Sequence, residues 1–133
     1  RLYRTYHGCA VPAHTQLASL PAWNDEAHVV ENRRLYREKF ARVTPVIAAA
    51  LQQDVAIPAG GFYLWLHVGN DEAFTRDLFA QQHVTVLPGR YLARETGAGN
   101  PGLGRIRISL VASLEDCDEA ARRIAEFVRV REC

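Results

Sequence analysis

The chain has 133 residues, the size of one ordinary domain, and its 16 Lys and Arg against 15 Asp and Glu leave a formal net charge of +1. That near-balance supplies no field of one sign to draw in a phosphate backbone, so nucleic acid is not expected. No run of roughly twenty apolar residues suggests a membrane span.

The chain opens Arg1-Leu2-Tyr3-Arg4 and holds no methionine, which leads us to expect a fragment of a longer protein. Tyr3 to Cys9 is aromatic and contains Gly8, as expected of a connection that lies against something outside the chain. Residues 1–23 read as that connection, with a short helix opened by Pro12 and stopped before Pro21. From Asn24 to about Leu51, Val29, Tyr36, Phe40, Val43, Ile47 and Leu51 recur at helical spacing, with Arg33, Arg34, Arg37 and Glu38 between them. This predicts one long amphipathic helix, capped by Asn24, with Asp25 and Glu26 in its first turn and a bend or break at Pro45.

Ile57-Pro58-Ala59-Gly60-Gly61 reads as a tight turn into a strand, Phe62 to His67, whose large apolar residues predict burial on both faces. Asn70 is placed to cap a helix from Asp71 to about Gln82, with Phe74 and Leu78 facing inward. A short strand from His83 to Leu87 follows, ending at Pro88-Gly89. Arg90 to Gly104 is glycine-rich and reads as an irregular loop. Beyond it, alternation puts Ile106, Ile108 and Leu110 on the core face of a strand and Arg107 with Ser109 on the other. Ser113 and Asp116 form a capping box for a last helix whose buried stripe is Cys117, Ala120, Ile124 and Phe127. The predicted architecture is a two-layer α/β (α+β) sandwich, a small sheet covered by helices.

Chemistry is sparse. Cys9, Cys117 and Cys133 include no close pair, so neither a disulfide framework nor a zinc motif is indicated, and a reducing, cytoplasmic setting suits them. The histidines, His7, His14, His28, His67 and His83, show no metal-binding spacing. Lys39 is the one lysine; it lies beside the core stripe on a charged helix face, a poor place for a Schiff-base lysine, which must be desolvated against its cofactor. Arg107, a strand cation following a glycine-rich loop, has the planar fork that grips a carboxylate. By spacing alone, a solvated strand residue or a structural ion pair is the plainer reading of it.

The runs Tyr6-His7-Gly8-Cys9-Ala10, Ala22-Trp23-Asn24-Asp25-Glu26-Ala27-His28-Val29 with Glu31-Asn32-Arg33, and Tyr36-Arg37-Glu38-Lys39-Phe40 resemble the C-terminal third of N-succinyl-L,L-diaminopimelate aminotransferases. So do Gly61-Phe62-Tyr63-Leu64-Trp65, Val84 to Gly89 with Tyr91-Leu92-Ala93-Arg94-Glu95, Asn100-Pro101-Gly102, and Arg105 to Val111. The later segments are shared by class I and II aminotransferases generally. The resemblance implies that residues 24–133 are the small, mostly antiparallel C-terminal domain of a homodimeric, pyridoxal 5'-phosphate-dependent enzyme. Such an enzyme moves an amino group between N-succinyl-L,L-diaminopimelate and 2-oxoglutarate in lysine biosynthesis. It implies too that the Schiff-base lysine and most cofactor ligands belong to an N-terminal large domain outside this chain, so that the chain by itself is inactive and binds no cofactor.

Arg107 matches the family arginine that holds the substrate α-carboxylate. Gly61 and Phe62 match the turn at the mouth of the site, and Pro88-Gly89 the loop that closes beside the substrate. Tyr6, His7 and Gly8 match a stretch that approaches the neighbouring subunit's cofactor phosphate. Arg90 adds an unassigned positive charge near an acidic substrate. Two other readings compete: a related class I aminotransferase for a different amino or keto acid, and a non-catalytic module derived from this domain. A module is expected to fold closed and polar-faced, an enzyme part to expose an apolar docking face.

Overall fold

A computed structural model describes residues 11–131. The chain divides between Arg34 and Leu35 into two compact units. The first includes helix α1, Ala13–Asn24, and the opening turns of helix α2, Ala27–Leu51. Helix α1 follows Pro12, whose carbonyl accepts from the Thr15 and Gln16 amides at 3.0 Å, but it continues through Pro21. The expected stop is therefore corrected: the proline's missing amide costs one hydrogen bond without ending a helix that has no buried residue. Asn24 closes α1 and does not cap α2. The Asp25 carboxylate takes that role, accepting from the Ala27 amide at 3.0 Å and pairing with His28 Nδ1 at 3.1 Å.

The second unit carries the sheet. From residue 35 onward α2 supplies Phe40, Val43, Thr44 and Ile47 to the core, and it runs unbroken through Pro45. Strand β1, Tyr63–His67, is followed by helix α3, Asp71–Gln82, strand β2, Leu87–Pro88, a single 3₁₀ turn, Gly89–Tyr91, strand β3, Arg105–Ser109, and helix α4, Leu114–Arg131. Asn70 caps α3 as expected, its side chain accepting from the Ala73 amide at 3.1 Å. Ser113 Oγ likewise accepts from the Asp116 amide at 3.1 Å and donates to the Asp116 carboxylate at 2.9 Å.

The strand order is β1-β3-β2 and both pairings are antiparallel, which makes the Arg107 strand the central one. Leu64, Leu66, Ile106 and Ile108 bury one face of the sheet against Phe74 and Leu78 of α3 and Ile124, Phe127 and Val128 of α4, with Phe74 edge-on to Phe127 at 5.2 Å. Each such side chain contributes about 1.5–3 kcal/mol by leaving water. The predicted sandwich, a small antiparallel sheet covered by helices, is the observed fold.

Three further expectations change. β1 is buried on one face only, with Tyr63, Trp65 and His67 exposed, because the helices cover a single side of the sheet. The strand expected at His83–Leu87 is instead the two residues Leu87–Pro88. His83 adopts φ 56° to close α3, its amide donating to Phe79 O at 3.0 Å, and this left-handed turn postpones the extended chain. On α4, Ala121 rather than Ala120 completes the buried stripe.

Gly89 and Gly102 lie back to back across the loop: a Cβ on either would collide with the other's backbone, and one on Gly89 would also come within 2.8 Å of the Trp65 ring. Backbone cannot swing away as a side chain can. Gly102→Ala is expected to cost roughly 2–4 kcal/mol, read as a lowered urea midpoint at unchanged m-value.

Candidate functional site

The uncovered face of the sheet gathers the residues of interest. Register sets Trp65 and Leu87 on either side of Arg107, Tyr63 beside Ser109, and His67 beside Arg105. Arg107 projects from this face because Ile106 and Ile108, its neighbours on β3, fill the core. Its guanidinium carbon stands 5.6 Å from the centre of the Tyr63 ring, and Phe62 packs edge-on against that ring at 5.5 Å. Phe62 O accepts from the Leu110 amide at 2.8 Å, and Gly61 enters the strand at φ +104°, a conformation that suits glycine. Phe62 and Gly61 thus lie at the end of the sheet where β1 begins, Arg107 stands at mid-strand with its guanidinium reaching the Tyr63 ring, and Pro88 and Gly89 lie on the β2 side.

Arg107 Nε is buried and has no hydrogen-bond partner among the described residues. Leaving a buried donor unmet costs about 1–3 kcal/mol, more where the group is charged. Aromatic walls, partial burial and an unmet guanidinium N–H make a place to receive a carboxylate.

Arg90, left unassigned by the sequence, is fully occupied. Its Nε and Nη2 donate to Asp71 Oδ1 at 2.9 and 2.6 Å, its amide to Asp71 Oδ2 at 3.1 Å, and its Nη1 to Glu72 Oε2 at 2.6 Å. Glu72 also accepts from the Tyr91 hydroxyl. Asp71 is completely buried and receives the Gly104 amide at 3.3 Å. Burial works to raise the Asp71 pKa, but the Arg90 guanidinium, the Arg90 amide and the Gly104 amide outweigh it and hold the carboxyl down at about 2. One carboxylate therefore ties the chain leaving β2 to the residue that precedes β3, at the end of the ladder beyond Arg105. Sequence reading missed this because an acid in the first turn of a helix is already explained by the helix dipole.

Lys39 is committed as well: its Nζ donates to Leu110 O at 3.1 Å and to Ala112 O, fastening α2 to the chain leaving β3. The one lysine of the chain does not fit the role of binding an aldehyde cofactor, and no step involving such a cofactor can be assigned to it. Borohydride reduction in the presence of pyridoxal phosphate is expected to leave Lys39 unmodified, and stoichiometric labelling of Lys39 would contradict that assignment. Cys117 is buried, and desolvation raises its pKa, which makes it an inert thiol. Tyr6, His7 and Gly8, with Cys9 and Cys133, lie outside the described residues. No group of three metal-ligating side chains occurs among the described residues, and none of their helices is long and apolar enough to cross a membrane.

The family profile for aminotransferase class I and II matches residues 2–124. The chain belongs to this family. Its similarity to an aminotransferase of known crystal structure from Neisseria meningitidis is 51% identity at a TM-score of 0.84, over 96% of this chain and 33% of that one. It is 30% identical to transaminase BacF of Bacillus subtilis over 84% of this chain and 28% of that protein. It is 32% identical to the LL-diaminopimelate aminotransferase of Nitratidesulfovibrio vulgaris, again over 84% of this chain and 28% of the relative. This class I/II aminotransferase chain thus spans about a third or less of the length of the proteins it matches.

Proposed function

We propose that the chain is the C-terminal, substrate-clamping part of a pyridoxal-phosphate-dependent aminotransferase, and that Arg107 holds the α-carboxylate common to its amino donor and keto-acid acceptor. The observation that carries this reading is the buried Nε of Arg107, without a hydrogen-bond partner among the described residues, on an open, aromatic sheet face. The cofactor, held by an N-terminal large domain, supplies the amino-transfer chemistry. This chain's residues bind and orient: Arg107 fixes the carboxylate end of the substrate, Tyr63 and Trp65 flank it, and Gly61 and Phe62 shape the entrance. Fixing that end sets which face of Cα is offered for proton removal, a contribution of orientation. We assign Tyr6, His7 and Gly8 to the partner subunit's cofactor phosphate in a homodimer.

Phe62, Tyr63, Trp65 and Leu87 are 37–42% exposed on the sheet face and its approach. A contiguous aromatic face of this kind supports a docking surface for the large domain over a closed, polar-faced module.

Relatives named for different substrates, an LL-diaminopimelate aminotransferase at 32% and an aspartate aminotransferase at 30%, match at closely similar identity, so the broader reading, an amino-acid aminotransferase, has the wider support. Within it we place N-succinyl-L,L-diaminopimelate with 2-oxoglutarate first, on the Trp23-Asn24-Asp25-Glu26 and Tyr91-Leu92-Ala93-Arg94-Glu95 motifs. Assay of the complete protein with a panel of amino donors is the test. Transfer to a keto acid is expected, fastest from N-succinyl-L,L-diaminopimelate. Faster transfer from another donor would reject the narrower substrate, and no transfer from any donor would reject the proposal.

A further inference from the structure

Arg105 is a second cation on the uncovered sheet face, beside Arg107. It lies two residues before Arg107 on β3, so the two Cα atoms are roughly 6.7 Å apart and both side chains leave the same face. Its guanidinium has no hydrogen bond or ion pair among the described residues, and the side chain is half-buried. It lines a cleft of about 320 Å³ together with His67, its partner across the β1–β3 ladder, and Trp65. Gln53 Nε2 donates to His67 O at 2.6 Å and fastens the far wall of the cleft to the end of β1. Asp54, also in the lining, forms no ion pair with Arg105. Trp65 starts opposite Arg107, and its ring tip reaches Gly89, which follows the residue paired with Ile106. The indole therefore crosses β3 from the Arg107 row toward the Arg105 row.

We propose that Arg105 and His67 form a second anion subsite that takes the distal carboxylate of a dicarboxylic substrate, with the Trp65 indole carrying the methylenes between it and Arg107. The proposal rests on the reading of Arg107 as the α-carboxylate anchor. A planar fork and an imidazole N–H are donors suited to a carboxylate, and an indole face suits an aliphatic stem. The carboxyl carbons of a five-carbon diacid are roughly 5 Å apart from C–C bonds of about 1.5 Å, the scale of the spacing between the two arginines. A monocarboxylic substrate would engage Arg107 alone.

The test uses the complete enzyme with Arg105→Gln and Arg105→Lys. It measures inhibition by glutarate and by butyrate, and kcat/KM for 2-oxoglutarate and for 2-oxobutyrate. Arg105→Gln is expected to weaken glutarate and 2-oxoglutarate about 10- to 100-fold, mainly through KM, as for a lost charge-assisted hydrogen bond. The monoacids should stay within about threefold, and lysine should recover part of the diacid affinity. Equal losses for diacid and monoacid, or no loss for either, would overturn the subsite. Arg107→Ala in the same assays separates the two ideas. Loss of both ligand classes there, beside an unselective Arg105→Gln, leaves the anchor standing and the subsite rejected, whereas an Arg107→Ala variant that keeps the parent's values for both classes rejects the anchor itself.

Discussion

Replacing Arg107 by alanine in the complete enzyme is expected to lower kcat/KM for the amino donor and the keto-acid acceptor alike, by about 30- to several-thousand-fold. The range follows from losing a bidentate, partly desolvated ion pair worth roughly 2–5 kcal/mol. Both half-reactions suffer because both substrates carry the same α-carboxylate. The sheet should remain folded, since the side chain leaves the face opposite Ile106 and Ile108 and its Nε has no partner among the described residues. Lysine at this position should recover only part of the loss, restoring charge without the fork. Steady-state kinetics of both half-reactions decide the matter. A folded, cofactor-loaded alanine variant within about twofold of the parent for both substrates would make Arg107 an ordinary strand arginine.

Arg90→Ala is expected to act on stability instead. It strands the fully buried Asp71 carboxylate, and breaking a buried pair from one side costs about 3–5 kcal/mol. Asp71→Asn should cost less, since the amide still accepts a hydrogen bond and Arg90 keeps Glu72. The pH dependence carries a definite sign. The Asp71 carboxyl is held near 2 in the folded chain against an ordinary 3.8, so the stabilisation is complete above about pH 4 and is lost as pH falls through 2. Urea unfolding of the parent and Arg90→Ala should therefore show a wide gap at pH 6 that closes toward pH 2. A gap independent of pH would mean that the arginine acts by packing alone.

Local signals were the legible ones. Asn70 and Ser113 announce α3 and α4 because a cap is read within four residues, and the alternation from Ile106 to Leu110 assigns both faces of β3. Pro21, Asn24 and the His83–Leu87 segment misled for a common reason: each has a strong local preference that the neighbouring chain overrides. Pro21 is carried through an exposed helix, Asn24 loses its capping role to Asp25, and His83 turns left-handed to end α3. The site was legible only in part. Resemblance singled out Arg107, but its setting depends on strand order, which puts Trp65 and Leu87 on either side of it from segments far apart in sequence. The Asp71–Arg90 lock joins residues 19 positions apart, and the Asp71–Gly104 bond spans 33. No periodicity reports such pairs.

A crystal structure of the complete protein with a bound amino-acid analogue tests most directly where the substrate carboxylate goes. Arg107 Nε and one terminal nitrogen are expected about 2.7–2.9 Å from the two oxygens of the ligand's α-carboxylate, filling the donor that has no partner among the described residues. A structure in which that donor meets a carboxylate of the large domain, while the ligand's own carboxylate binds elsewhere, would contradict the account.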